Sequence, residues 1–136
     1  MANLKIEEIE GIGPVTAEKL LADGITHTDK LLEAGGTKKG RQEIAEKCDL
    51  SEKQVLKWVN MADLFRIKGV AGEYAELLEC AGVDTVVELA TRNAANLAAK
   101  MAEVNEEKKL TRQVPSESMV EGWVAQAKEL PRAVSH

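Results

Sequence analysis

The sequence contains few aromatic residues, few cysteines and no long apolar run. Its 136 residues include one Phe, one Tyr and two Trp, whereas a β-sandwich or barrel normally has more aromatic and β-branched residues. Cys48 and Cys80 are too few for a disulfide framework and are typical of a reducing compartment. No apolar run approaches about 20 residues, and the first residues do not resemble a signal peptide. We therefore expect a cytoplasmic protein with no membrane association.

Basic residues are fewer than acidic ones. The chain has 18 Lys and Arg against 23 Asp and Glu, which gives a formal net charge of −5. An acidic protein is not an obvious nucleic-acid binder. The residues that are plentiful, Ala, Leu, Glu and Lys, favour helix, and no alternating β pattern of useful length is present. The sequence therefore predicts an all-α fold.

The chain contains an internal repeat. Residues 9–25 match residues 67–83 at a constant offset of 58, and the segments that begin at Ser51 and Ser116 match at an offset of 65. The difference of seven residues is a net insertion in the second copy, most simply within residues 101–113. We therefore divide the chain into two copies, residues 1–64 and residues 65–136. We expect about five short helices in each, packed about a pseudo-twofold axis as a single unit.

Caps, glycines and apolar stripes predict the individual helices. Asn3 can cap a short helix that runs to Ile9, Pro14 can open the next helix, and Gly24 can end it in the left-handed conformation. Further helices are predicted from Thr28 to Gly35 and Gly36, from Thr37, from Ser51 with Gln54 completing a capping box, over residues 72–81, over residues 84–91, from Asn93, and over residues 116–130.

The second half of each copy carries a tryptophan. Trp58 and Trp123 occupy equivalent positions on apolar stripes, and we expect both to pack in the core. Asn60, Asp63 and Arg66 follow at intervals of three residues in the connection between the copies. Their spacing predicts a polar network that holds the two copies together.

The residues Gly11, Ile12, Gly13 and Pro14 form a turn that suits an anion. Two glycines permit φ values that most residues avoid, and Ile12 between them can enter the core. Such a turn directs backbone N–H groups and a helix N-terminus outward, which suits a phosphate oxygen. Binding of this kind would contact the backbone of a nucleic acid and would be independent of base sequence.

This turn resembles the helix-hairpin-helix superfamily, whose pattern of apolar residues, glycines, Ala and Leu is matched in order by Ile9, Gly11, Ile12, Gly13, Ala17 and Leu20. The superfamily occurs in polymerases, ligases, nucleases and Holliday-junction proteins, where it grips the DNA backbone without sequence preference. The second copy departs from the pattern, because Ala71 replaces the second glycine and Gly72 is displaced by one position.

Over residues 3–130 the chain is similar to one bacterial family of tandem helix-hairpin-helix proteins whose function is not established. This resemblance implies a fold and no activity. It is carried by residues 37–41, 58–67, 73–78 and 82–85, and by Pro115, Ser116 and Trp123.

The candidate nucleic-acid contacts combine the hairpins with nearby basic residues. They are Gly11, Ile12, Gly13, Lys38, Lys39 and Arg41 in the first copy, and Gly69, Val70 and Gly72 in the second. A further basic cluster, Lys108, Lys109 and Arg112, falls in the insertion. If both clusters face the same side as the first hairpin, they form a cationic strip; otherwise they are solvated loop charges.

The chain offers little for catalysis. Its histidines are His27 and His136, no Cys or His spacing suits a metal, and no nucleophile triad, P-loop or dinucleotide motif is present. We expect a protein that is not an enzyme, with no cofactor, metal or small-molecule substrate.

Two functions remain open at the level of sequence. The first is weak, sequence-independent binding of a DNA or RNA backbone. The second is a protein-interaction or scaffold module whose surface would include Leu97, Met101 and Met119. The turn at Gly11 could also simply join two packed helices, and Glu7, Glu8 and Glu10 beside it would repel a phosphate.

Overall fold

The computed structural model describes residues 4–9, 11–70 and 72–135, and every regular element among them is helical. The fold class is therefore all-α, as predicted. A short 3-10 helix, Ile6–Glu8, comes first. It is followed by α1 (Pro14–Ala22), α2 (Thr28–Gly35), α3 (Lys38–Cys48), α4 (Glu52–Leu64), α5 (Gly72–Cys80), α6 (Val86–Ala90), α7 (Ala94–Lys108) and α8 (Glu117–Glu129).

The helix ends follow the predicted local chemistry. Ser51 Oγ accepts a hydrogen bond from Gln54 N at 3.1 Å, and Gln54 Oε1 accepts one from Ser51 N at 3.2 Å, which completes the capping box at the start of α4. Gly24 ends α1 with φ +81, and Ile25 N donates back to Leu20 O at 2.9 Å. The predicted cap at Asn3 lies outside the described residues, and the first element is a single 3-10 turn that does not include Ile9.

Helix α6 is shorter than predicted. It begins at Val86 because the Oγ1 of Thr85 accepts a hydrogen bond from Glu88 N at 3.3 Å. Thr85 is therefore the cap that precedes the helix, and Asp84 lies outside it. Asn93 and Ser116 cap α7 and α8 as predicted.

One hydrophobic core runs through both halves of the chain. Helix α4 packs on α2 and α3, α8 packs on α6 and α7, and α4 also touches α5. Trp58 and Trp123 are buried, as predicted, and Phe65, directly after α4, is fully buried in the same core. Among the described residues no helix is both long enough and apolar enough to cross a membrane.

Polar side chains join α4 to elements of the second half. Asp63 Oδ1 accepts a hydrogen bond from Arg66 Nη1 at 2.7 Å, and Asp63 Oδ2 accepts one from Val86 N at 2.8 Å. Arg66 Nη2 donates to Pro131 O at 2.7 Å. The predicted network is therefore present for Asp63 and Arg66, while Asn60 Oδ1 is buried without a partner.

Residues 131–135, here called the C-terminal segment, return to the first half of the chain. Ser135 N donates to Gly36 O at 2.8 Å, and Val134 is buried in the core. The segment passes so close to Gly36 that a Cβ placed there would lie 2.6 Å from Ala133 O. Only glycine fits this crossing.

Candidate nucleic-acid interface

The first hairpin, residues 11–14, has the geometry of a tight glycine turn. Gly11 has φ +92, which favours glycine, and Ile12 N donates to Ile9 O at 3.1 Å. Ile12 enters the core as predicted. Gly13 is the exposed residue that precedes α1, and Pro14 occupies the first helical position. The start of α1 therefore lies at the surface, where the N–H groups of a first turn have no carbonyl partner within the helix.

Trp58 lies directly behind the first hairpin. A Cβ placed at Gly11 would be 3.3 Å from Nε1 of Trp58, so the indole nitrogen and the glycine are in close contact. The tryptophan side chain is provided by α4, and it fixes the turn against the core. A side chain at position 11 would press on the indole as well as strain the backbone.

The second hairpin, residues 69–72, has the same turn geometry in its described residues. Gly69 has φ +92, and Val70 N donates to Ile67 O at 3.2 Å. Val70 is buried as Ile12 is, and Gly72 begins α5. A Cβ at Gly69 would lie 3.1 Å from Nε1 of Trp123. The departure at Ala71 lies outside the described residues.

Two contacts distinguish the second hairpin from the first. Gln126 Oε1 accepts a hydrogen bond from Lys68 N at 2.9 Å, and Gln126 Nε2 donates to Lys68 O at 3.4 Å. The ring of Tyr74 lies 5.4 Å from that of Trp123 at an angle of 53°. Tyr74 is therefore a packing partner of the tryptophan, and the second hairpin is held by more side chains than the first.

The two hairpins are neighbours in space. A Cβ placed at Gly72 would lie 3.6 Å from the carbonyl oxygen of Glu8, which precedes the first hairpin. The turn that opens α5 therefore lies against the segment that leads into the first turn.

The predicted basic residues of the first copy divide into two kinds. Lys38 and Lys39 are exposed at the start of α3, and neither side chain forms an ion pair or a hydrogen bond within the described part of the chain. Arg41, predicted as a nucleic-acid contact, is only 4% exposed. Its Nη1 donates to Gly35 O at 3.0 Å and its Nη2 to Ser135 O at 2.7 Å, so the guanidinium is not free to bind a phosphate.

The position of Arg41 explains this burial. It shares one face of α3 with the buried residues Ile44, Ala45 and Cys48, at the spacing of an apolar helical stripe. Burial lowers the pKa of the guanidinium, and the charge of Glu52 opposes that shift. The sequence shows the helical spacing of this stripe. It does not show that the carbonyl of Ser135 accepts a hydrogen bond from the buried guanidinium.

Lys38 and Arg41 border one groove with Glu52, Lys53 and Leu56, a space of about 290 Å³. The first hairpin instead lies against Trp58, further along α4. The other basic cluster, Lys108, Lys109 and Arg112, is exposed at and beyond the end of α7. No hydrogen bond or ion pair among the described residues ties either cluster to a hairpin.

Carboxylates also surround the hairpins. Glu7 and Glu8 are exposed before the first turn, and Glu73 is exposed in the first turn of α5. Within about 8 Å such charges still act on an anion at physiological salt. They weaken any phosphate binding and limit it to modest affinity.

The residues proposed for a protein-binding surface are not together at the surface. Leu97 and Met101 are buried in the core, so that part of the prediction is wrong, and Met119 is exposed. The error arose because α7 is covered by both α5 and α8. Sequence periodicity identifies an apolar face but not the number of neighbours that cover the helix.

The described residues thus place the protein in the class of all-helical proteins. Its distinguishing feature is a pair of glycine turns, each of which precedes a nine-residue helix. One family model matches residues 10–130, and the chain belongs to this family, described as "Domain of unknown function (DUF4332)". A family of unestablished function was expected, and that much is confirmed. No curated protein and no solved structure matches the chain.

Proposed function

We propose that the chain is a non-enzymatic binding module of two tandem helix-hairpin-helix units that holds the backbone of DNA or RNA without reading its sequence. The observation that carries the proposal is the paired geometry of the hairpins. Gly11 and Gly69 both have φ +92, and each turn leads into a nine-residue helix. A helix N-terminus favours an anion through its free N–H groups and its dipole.

The correspondence between the halves supports the assignment of two units, residues 1–64 and 65–136, about a pseudo-twofold axis. The helices α1 and α5 have equal lengths and begin 58 residues apart, at Pro14 and Gly72. The helices α4 and α8 also have equal lengths and begin 65 residues apart. Left-handed residues, Asp49 and Lys109, end α3 and α7.

In this proposal the hairpin backbone makes the contacts, and Lys38 and Lys39 add positive charge. Arg41 does not contact the ligand, because its guanidinium is hydrogen-bonded to Gly35 O and Ser135 O.

The competing function is a protein-interaction module with a surface that includes Leu97, Met101 and Met119. Two of these side chains, Leu97 and Met101, are buried in the core and cannot contact a partner. The exposed large apolar side chains of the described residues, Val15, Leu21 and Met119, are of the scattered kind that any soluble protein shows.

Fluorescence anisotropy with labelled duplex and single-stranded oligonucleotides tests the proposal. We expect a Kd of about 100 µM or tighter at low salt, within the range of non-specific binding. If Lys38 and Lys39 neutralise two phosphates, affinity falls about tenfold between 50 and 200 mM salt. An apolar protein interface would respond little to salt, and the absence of binding at about 100 µM would contradict the proposal.

Glycine variants locate the binding surface. A Cβ at Gly13 meets no atom of the described residues within 4 Å, so Gly13→Ala preserves the fold while it adds a methyl group to the exposed turn. We expect weaker binding. Gly122→Ala is the matched control, because Gly122 lies on α8 and its Cβ also meets nothing within 4 Å. Equal affinity of the two variants would argue against the first hairpin.

A further inference from the structure

Both tryptophans bury their rings and leave their one polar atom without a partner. Trp58 is 4% exposed and Trp123 is 3% exposed, yet neither Nε1 forms a hydrogen bond within the described part of the chain. The fully buried polar atoms without a partner there are Asn60 Oδ1 and Glu79 Oε2. Each indole nitrogen therefore keeps a small contact with solvent.

That contact occurs beside the hairpin glycines. The Nε1 atoms lie 3.3 and 3.1 Å from where a Cβ would stand at Gly11 and Gly69. The same arrangement occurs twice, on helices that begin 65 residues apart. A buried tryptophan N–H normally finds an acceptor. Because the described residues supply none to either indole and both nitrogens open to solvent, the acceptor comes from outside the chain, either water or a bound ligand that replaces it.

We propose that Trp58 and Trp123 each donate the indole N–H to the phosphate that the adjacent hairpin holds. This inference rests on the proposed function and adds a ligand-contacting side chain to each unit. It also gives a second reason for glycine at positions 11 and 69, because any side chain there would stand against the indole nitrogen and block its approach to a ligand.

The chemistry around each indole selects an anion. An indole nitrogen is a donor only, and the first turn of a helix likewise presents donors. A ligand that accepts several hydrogen bonds and carries negative charge satisfies all of them, and a phosphodiester does so with its two free oxygens. Because the carbonyl of Glu8, which precedes the first hairpin, lies beside Gly72 at the end of the second hairpin, both sites lie within reach of one polymer.

The two sites differ in rigidity. Gln126 and Tyr74 hold the second hairpin and its tryptophan, whereas the described residues give the first hairpin no equivalent side-chain bonds. We expect the Trp58 signal to change more on binding than the Trp123 signal.

The protein has two indole N–H groups, so their NMR signals test the inference directly. Trp58→Phe and Trp123→Phe variants assign the two resonances in a ¹⁵N-labelled sample. A short DNA duplex is then added at about 50 mM salt, and inorganic phosphate is added to a second sample. We expect both indole protons to move downfield with the midpoint measured by anisotropy, and phosphate to move them only at much higher concentration.

The outcomes separate this inference from the proposed function. If the duplex binds and neither indole signal moves, the tryptophan contacts are refuted and nucleic-acid binding stands. If phosphate shifts the indoles while the duplex does not bind, the anion sites stand and the proposed function fails. If neither ligand has an effect, both fail.

Removal of the donor gives a second measurement. We expect Trp58→Phe to weaken duplex binding about tenfold, as for loss of a hydrogen bond to a charged group, with Gly122→Ala again as the unaffected control. Because a smaller ring leaves a cavity, the same titration is repeated with both tryptophans replaced by benzothienylalanine, which keeps the ring shape and has sulfur in place of N–H. Unchanged affinity in that folded protein would overturn the inference.

Discussion

Glu79, on α5, has a carboxylate oxygen, Oε2, that is fully buried without a hydrogen-bond partner. Burial raises the pKa of this carboxyl, Lys57 opposes the shift, and the negative charges of Glu76 and Asp84 add to it. The folded protein therefore holds the Glu79 proton more tightly than the unfolded chain does. Stability is lost as pH rises from the ordinary glutamate pKa through the raised one.

Glu79→Gln removes that pH dependence. We expect the variant to have a higher Tm than the natural chain at pH 7, because the buried negative charge is removed, and nearly the same Tm at pH 4, where Glu79 is largely protonated. Thermal unfolding followed by circular dichroism at both pH values measures the difference. Glu103→Gln, exposed on α7, is the control. An equal shift at both pH values would contradict the explanation.

Among the elements, the junction between α4 and α6 depends on one carboxylate. Asp63 is 1% exposed and receives hydrogen bonds from Arg66 and from the first N–H of α6, at Val86. Asp63→Ala leaves both donors without an acceptor. We expect a loss of about 3 kcal/mol of unfolding free energy and a Tm lower by about 10 °C, with unchanged ligand affinity.

Urea denaturation measures the effect of Asp63→Ala, and Lys30→Ala provides the comparison. Lys30 pairs with Glu33 at 3.9 Å, with both side chains exposed, and exposed pairs contribute about 0.5 kcal/mol or less. If the two variants lose similar amounts of stability, the buried network does not hold the halves together.

The helices were predictable because their signals are local. A capping box at Ser51 and a left-handed glycine at Gly24 act within a few residues of the helix end, and the structure has both. Arg41 was not predictable in the same way, since its acceptor on Ser135 is 94 residues away. The turn at Gly11 could be recognised from its pattern, whereas the tryptophan behind it depends on how α4 packs.

At the scale of the whole molecule, one core encloses both tryptophans. We therefore expect the chain to unfold in a single cooperative transition. In Trp58→Phe the fluorescence reports the surroundings of Trp123, and in Trp123→Phe it reports those of Trp58. In each variant the fluorescence and circular dichroism midpoints should coincide in urea. Separate midpoints would show that residues 1–64 and 65–136 unfold independently.

The C-terminal segment has a consequence for the order of synthesis. Val134 fills a place in the core, and the carbonyl of Ser135 accepts the hydrogen bond from Nη2 of Arg41. A ribosome that adds about 5 to 20 residues per second completes α4 several seconds before it adds Ser135. During that interval Arg41 keeps its bond to Gly35 O, but its Nη2 has no Ser135 acceptor and the place of Val134 in the core is open, so the first half of the chain can fold completely only after translation has passed residue 135.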